Sequence, residues 1–351
     1  METQTAQIQK KSLRKLSLEQ LKEMLVAKGQ PGFRAKQVFE WIWKKSARSF
    51  EEMQNLPKDL RAHLEEEFTF NSVAVGESQV SSDRTIKSSF VLSDGNLVEG
   101  VLIPTEDRMT ACVSSQVGCS LTCSFCATGY MERKRNLEPY EIVDQVVLIR
   151  EQAEQKYQQP LTNIVYMGMG EPLLNYANMM ESIEKITSPE GLGMASKRIT
   201  VSTAGIAKMI KKLADDQVKF NLALSLHAAN DEKRNRIMPI NESNTLDALA
   251  EALIYFYQKT ENRITLEYIV FDKFNDSLED ARELLAFAKK FPCKINIIEY
   301  NPIKQANFLN AKADAIQQFS GFLESKGMIV NVRRSRGKDI DAACGQLAGK
   351  K

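Results

Sequence analysis

The sequence predicts an α/β protein, a parallel sheet or barrel preceded by a small helical domain, and three observations carry that expectation. From Met109 onward, short apolar strand patterns alternate with amphipathic helical ones. Ahead of them lies a period-two stretch with a hairpin turn signal at Asp94-Gly95. Ahead of that, the first seventy residues repeat their apolar side chains at helical spacing.

Taken in order, Ser17 followed by Gln20 fits a capping box, and Leu18, Leu21, Met24 and Leu25 form the stripe of a first helix. Gly29-Gln-Pro-Gly32 breaks it. A second helix is expected over 33–45, with Val38, Phe39, Ile42 and Trp43 inward, and a third from near Pro57 to about Phe68. Through Phe70 the chain carries 13 Lys/Arg and 10 Asp/Glu, which suits either a solvated basic face or an RNA-docking module. Strands are expected at 72–81, 84–93 and 96–104, the last carrying Glu99. The domain division is placed at residue 85, giving an accessory domain over 1–85 and a core over 86–351. In the core, strands are expected at 110–114, 163–167, 198–202, 219–226, 263–270, 294–299 and 329–333. Helices are expected at 138–156, 176–187, 206–214, 244–259, 277–289 and 312–326. Such alternation calls for right-handed crossovers, with chemistry at the strand C-termini.

Composition narrows the function. The 351 residues carry 47 Lys+Arg against 45 Asp+Glu, a net +2, with 43% hydrophobic and 26% charged residues. Those values exclude a disordered chain, a collagen-like chain and a disulfide-dense miniprotein. No apolar run approaches the roughly 20 residues that span a bilayer, and the first residues lack a signal peptide's apolar stretch. A cytoplasmic protein with reduced thiols, not bound to membrane, is the expectation. Only His63 and His227 are present, which sets aside a His-based metal centre.

The six cysteines are Cys112, Cys119, Cys123, Cys126, Cys293 and Cys344. Cys119, Cys123 and Cys126 form a C-x3-C-x2-C loop directly after the first strand of the alternating region. Three thiolates in one loop can hold three irons of a [4Fe-4S] cluster and leave the fourth open to a small chelator such as the amine and carboxylate of S-adenosylmethionine (SAM). The rival is a closed zinc site with Cys112 as fourth ligand. Cys293, in an apolar strand, reads as an inert buried thiol.

The loop resembles that of radical-SAM enzymes, and its surroundings resemble the RlmN/Cfr-type radical-SAM RNA methyltransferases. The matching stretches are Glu99-Gly-Val-Leu-Ile-Pro104, Cys112-Val-Ser-Ser-Gln-Val-Gly-Cys119 and Gly168-Met-Gly-Glu-Pro-Leu-Leu-Asn175. Ser225-Leu-His227, Met238-Pro-Ile-Asn241 and Arg336-Gly-Lys-Asp-Ile-Asp-Ala-Ala-Cys-Gly-Gln-Leu347 complete the set. The resemblance implies a partial (β/α)6-type radical-SAM barrel with a small N-terminal helical accessory domain. It implies the cluster on Cys119, Cys123 and Cys126, and SAM contacts at Gly170, Glu171, Ser202, Ser225, Leu226, His227 and Asn301.

The same resemblance implies the reaction. Cys344 takes a methyl group from one SAM, and a second SAM yields a 5′-deoxyadenosyl radical that activates that methyl, so two SAM molecules serve each turnover. The carbon radical adds to C2 of an adenine, and Cys112 resolves the adduct through a transient disulfide with Cys344. Glu99 matches the family's proton acceptor. The implied substrates are 23S rRNA near the peptidyl-transferase centre and the adenine just 3′ of a tRNA anticodon. A donor such as flavodoxin would supply electrons to a monomeric enzyme.

Basic residues at 133–135, 197–198, 208–212 and 333–338 suit phosphate contacts or solvated faces. Three rivals remain: a C8-directed relative, a radical-SAM enzyme with a non-RNA substrate that needs neither Cys112 nor Cys344, and a zinc-stapled RNA-binding module.

Overall fold

The structure, a computed structural model, describes residues 10–70 and 72–349. Three short helices, α1 (Leu18–Ala27), α2 (Phe33–Trp43) and α3 (Lys58–Glu67), make the N-terminal unit. The expected capping box is formed: Gln20 N donates to Ser17 Oγ, and Ser17 N donates to the Gln20 side chain. Leu21, Leu25, Val38, Ile42, Trp43, Leu60 and Leu64 bury the apolar stripes against one another. A two-strand parallel clasp, Lys11–Ser12 beside Phe68–Thr69, closes the unit, a feature too short for periodicity to reveal.

A ten-stranded sheet follows, and its spatial order is the chain order. The first three strands are β1 (Ala74–Val80), β2 (Ile86–Val91) and β3 (Leu97–Pro104), an antiparallel meander that pairs with β4 (Met109–Cys112). The parallel part continues through β5 (Asn163–Tyr166), β6 (Ile199–Thr203), β7 (Asn221–Ser225), β8 (Ile264–Val270), β9 (Cys293–Glu299) and β10 (Val330–Arg333). The boundary expected at residue 85 falls between β1 and β2, which share one ladder.

Crossover helices cover the parallel strands as the alternation requires. They are α4 (Pro139–Tyr157), α5 (Tyr176–Thr187), α6 (Ala207–Asp215), α8 (Leu246–Thr260), α9 (Leu278–Ala288) and α10 (Ala313–Ser325). The seven-residue α7 (Asp231–Ile237) was not expected, because its run Asp231-Glu-Lys-Arg-Asn-Arg236 has no apolar stripe. Six βα steps on an open sheet are the partial (β/α)6 barrel with a small helical N-terminal domain.

Two arrangements complete the molecule. Arg14 is buried at the seam between the N-terminal unit and the barrel and makes paired bonds of 2.7 Å to both oxygens of Asp144 in α4. At the other end of the chain, residues 334–349 form a strap from the β10 edge back to the β1–β2 turn and on to β3. Gly337 N donates to Asp83 (2.9 Å), Asp339 accepts from Ser81 Oγ (2.5 Å) and Ser82 N (3.0 Å), and Ala348 N donates to Glu99 (2.7 Å). No helix among the described residues is long and apolar enough to cross a membrane.

Candidate active site

A cavity of about 330 Å³ opens at the C-terminal ends of the parallel strands, where the fold concentrates chemistry. Cys119, Cys123 and Cys126 line one wall. Their loop is pinned at its base, because Gln116–Val117 pairs with Arg135–Asn136, and near its middle by Ser124 N donating to Ile237 O at 3.0 Å. Phe125 turns inward and packs edge-on against His227, with ring centroids 4.8 Å apart.

Burial pushes the Cys119 thiol up to about 11 and raises Cys123 and Cys126 as well. Such thiols keep their protons unless a cation replaces them, which metal binding does. Three thiols on one short loop, all lining one cavity, can offer one thiolate to each of three irons, a donor set that fits an iron–sulfur cluster.

On the facing wall lie Gly170, Glu171, Ser202, Ser225 and His227. Gly170 has φ +91°, and a Cβ there would stand 2.4 Å from Gln116 Cβ, so no other residue lets the turn approach Gln116 this closely. Glu171 is buried and accepts from Ala204 N (2.8 Å) and Leu173 N (3.1 Å). Burial raises its carboxyl, so a bound ammonium group would favour its charged form. Ser202 and Ser225 touch through their hydroxyls at 3.3 Å. His227 adopts φ +55°, held by Asn275 Nδ2 donating to its carbonyl at 2.7 Å. Ile269 N donates to its Nδ1 at 3.1 Å, and burial lowers its pKa to about 3, leaving a neutral ring. Two expected contacts do not reach the cavity wall. The Leu226 side chain is wholly buried in the core. Asn301 lies beneath the strap, where its Nδ2 donates to Cys344 O at 3.2 Å.

Cys112, at the end of β4, and Cys344, in the strap, line the same cavity. They are near enough that a charge on Cys344 would raise Cys112 further, after burial has raised it already. Cys344 is open to the cavity, and the surrounding protein still pushes its thiol up to about 11. All six cysteines are free, so the Cys112–Cys344 disulfide, expected only as a transient of turnover, is not present in this structure. Cys293 is buried, as expected, with its thiol donating to Ala288 O at 3.3 Å. The strap docks on the cysteine loop through Ala127 N to Gly345 O (2.7 Å) and Thr128 Oγ1 to Leu347 O (2.6 Å). Glu99 is not on the cavity wall; its Oε2 accepts from Ala348 N (2.7 Å) and Gly349 N (3.0 Å), and Oε1 lies 3.7 Å from Lys87 Nζ.

Two buried charges escaped the sequence reading. Arg234 of α7 donates to the carbonyls of Ala204 (2.6 Å), Ser225 (3.2 Å) and Leu226 (3.0 Å) and to Asn241 Oδ1 (2.6 Å). It thereby ties two strand ends to the Met238-Pro-Ile-Asn241 stretch beside Cys123. Burial lowers its pKa to about 10, which still leaves it cationic at neutral pH. Glu267 of β8 lines the cavity, and a lone carboxylate inside Ile264–Val270 was the available signal. Of the basic clusters, Arg333, Arg334 and Arg336 stand at the cavity mouth. Arg135 is committed to Asp94 and Glu141, and Lys212 to Asp216.

Comparison with known proteins agrees with this geometry. Residues 113–287 match the Radical SAM superfamily, and residues 11–70 match the ribosomal RNA large subunit methyltransferase N-terminal domain. A probable dual-specificity RNA methyltransferase RlmN from Cytophaga hutchinsonii is 66% identical over 99% of this chain and 95% of its own length. The chain belongs to the RlmN family. A second RlmN relative, from Staphylococcus aureus, is 41% identical over 97% of this chain and 93% of its own. The crystal structure of a radical SAM methyltransferase from Sphaerobacter thermophilus superposes with a TM-score of 0.91 at 40% identity, over 97% of this chain and 100% of that one. The protein is thus a radical-SAM RNA methyltransferase of the RlmN type, and a [4Fe-4S] cluster and SAM are the cofactors of its family.

Proposed function

We propose that the enzyme methylates C2 of an adenine in 23S rRNA near the peptidyl-transferase centre, and C2 of the adenine 3′ of a tRNA anticodon, through a methyl group carried on Cys344. The single observation that carries this reading is that Cys112 and Cys344, remote in sequence, face one cavity whose wall bears Cys119, Cys123 and Cys126. The name dual-specificity RNA methyltransferase, borne by the relatives, supports two RNA substrates.

Cys119, Cys123 and Cys126 would hold the cluster, while Glu171 offers its carboxylate to the SAM amine, and Gly170, Ser202, Ser225 and neutral His227 shape the remainder of that site. When bound, cluster and SAM supply a methyl group in one encounter and a radical abstractor in another, two SAM per turnover. Cys344 holds the methyl as a thioether and, after its carbon joins the base, holds the RNA. Cys112 attacks the Cys344 sulfur, and the disulfide so formed frees the product. Glu99 accepts a proton only once Ala348 and Gly349 have released it; with the strap docked it serves the strap. Arg333, Arg334 and Arg336 receive phosphates at the mouth, and the adenine enters unstacked. The enzyme works as a monomer with a low-potential donor such as flavodoxin.

Replacing Cys112 by Ala is expected to trap an RNA–protein adduct, seen as a slowly migrating band on a denaturing gel that RNase removes. Normal turnover by that variant would refute the two-thiol route. Mass spectrometry of the modified nucleoside against C2 and C8 standards checks the position.

A further inference from the structure

We propose that Asn301 is the positioning residue of the carrier thiol and sets it against the cofactor: its amide holds either the strap at Cys344 or SAM, so SAM binding loosens the strap. The inference rests on the expected SAM contact at Asn301 and on the reading of Cys344 as the methyl carrier. Asn301 follows β9, whose Ile298 lines the cavity. Its Nδ2 donates to Cys344 O at 3.2 Å, a side-chain bond made to the carrier residue itself. Cys344 and its neighbours Ala343 and Gly345 line the cavity, whereas Asn301 does not, so the docked strap keeps this amide one layer behind the wall. A second tie closes that layer: Gln346 Nε2 donates to Pro302 O at 3.1 Å, while Gln346 Oε1 accepts from Ala343 N at 3.2 Å.

The docked arrangement leaves one polar atom unmatched. Asn301 is 3% exposed, and its Oδ1 is buried with no hydrogen-bond partner among the described residues. An amide oxygen stripped of water and left without a donor is costly, and buried polar groups almost always find one. Cys344 O can only accept, so the Nδ2 end of the amide is fixed on the strap and the Oδ1 end is the one in want. SAM carries the missing donors: an ammonium group, ribose hydroxyls and the adenine amine. To meet one of them the Asn301 amide must come out to the wall, which withdraws Nδ2 from Cys344 O. The exchange replaces a strap bond by a cofactor bond and matches the orphaned oxygen. Cys344 is thus held until SAM is bound, and the stretch between Asp339 and Ala348 then gains freedom to present its sulfur, both ends staying tied. By reciprocity, loosening the strap must tighten SAM binding by the same factor.

The test uses the anaerobic, iron-loaded enzyme and S-adenosylhomocysteine, which keeps those donor groups and has no methyl to transfer. Mass spectrometry follows deuterium uptake by the strap peptide over 340–347, and equilibrium dialysis gives the ligand's affinity. In the wild-type chain the ligand is expected to speed uptake about three- to tenfold, the effect of one net hydrogen bond. Asn301→Asp keeps acceptor oxygens and loses the donor, so its strap should exchange fast with or without ligand while affinity holds or rises. Asn301→Ala should show the same fast strap with affinity reduced about three- to tenfold. A merely structural role would move both variants alike. Gln346→Ala, which loosens the strap at its other tie, should tighten binding in the wild-type chain and leave it unchanged beside Asn301→Ala. Should the Asn301 variants not retain iron, the wild-type response and the tighter binding of Gln346→Ala decide the matter alone. Uptake that slows on ligand binding, or a response that persists in Asn301→Ala, would overturn the inference. Wild-type enzyme that binds no ligand overturns the reading of the SAM site, whereas binding with no change in the strap overturns the role of Asn301 alone.

Discussion

His227 shows at the residue scale how burial selects a protonation state. Its ring is enclosed, its Nδ1 accepts from Ile269 N, and Arg234 lies near, so the charged form is disfavoured. The folded pKa of about 3 lies below the unfolded 6.5, so the native state binds fewer protons between those values. The associated stability is complete above pH 6.5 and is lost as pH falls toward 3. The unfolding midpoint of the wild-type protein should therefore drop through that window, and His227→Gln should flatten the drop; an equal slope in both would refute the account. This histidine was legible because it closes a strand, and the three-cysteine loop because its spacing is chemically specific. Arg234 was not, since a charged heptamer without an apolar stripe reads as solvated surface until tertiary structure shows which carbonyls surround it. Leu226 and Asn301 mark the opposite limit: a position at a strand end does not say whether the side chain faces the cavity or the core.

The strap is the feature that matters most at the element scale. Periodicity is blind to it, because residues 334–349 have almost no regular structure and owe their path to side chains distant in sequence, namely Asp83, Glu99, Thr128 and Asn301. The strands and crossover helices, by contrast, were readable within a residue or two at most ends, since each buries an apolar face whose period is local. Glu99 holds the strap's last turn with two backbone amides, each bond to a carboxylate being worth about 1.5–3 kcal/mol. In Glu99→Gln, exchange of the Ala348 and Gly349 amides should accelerate at least tenfold, and trypsin should cut sooner at Arg336 and Lys338. Unchanged protection would show that Glu99 does not secure this segment.

At the scale of the whole molecule, one buried pair joins the helical unit to the barrel. Arg14 lies among the rings of Trp43, Phe70 and Tyr140, with its guanidinium 5.1–5.9 Å from their centroids, and binds Asp144, which also accepts from Val73 N at 3.0 Å. Removing one partner strands the other charge in a dry seam, so Arg14→Ala should lower stability by about 3–5 kcal/mol in urea unfolding. A loss below 1 kcal/mol would mean that the seam is held by apolar packing alone. Sequence patterns could delimit the two units but not this joint, whose partners stand 130 positions apart.

The strap also sets a limit on travel. From Cys344 the chain runs back five residues to its bond at Asp339 on the β1–β2 turn and on four residues to its bond at Ala348 on β3. Even drawn out straight, four residues span about 14 Å. With both ends buckled, the sulfur cannot swing out to meet a folded RNA. On the proposed route, and while the strap stays docked, the nucleotide makes the journey inward, and the depth to which an RNA loop can unspool one base would govern which RNAs are accepted.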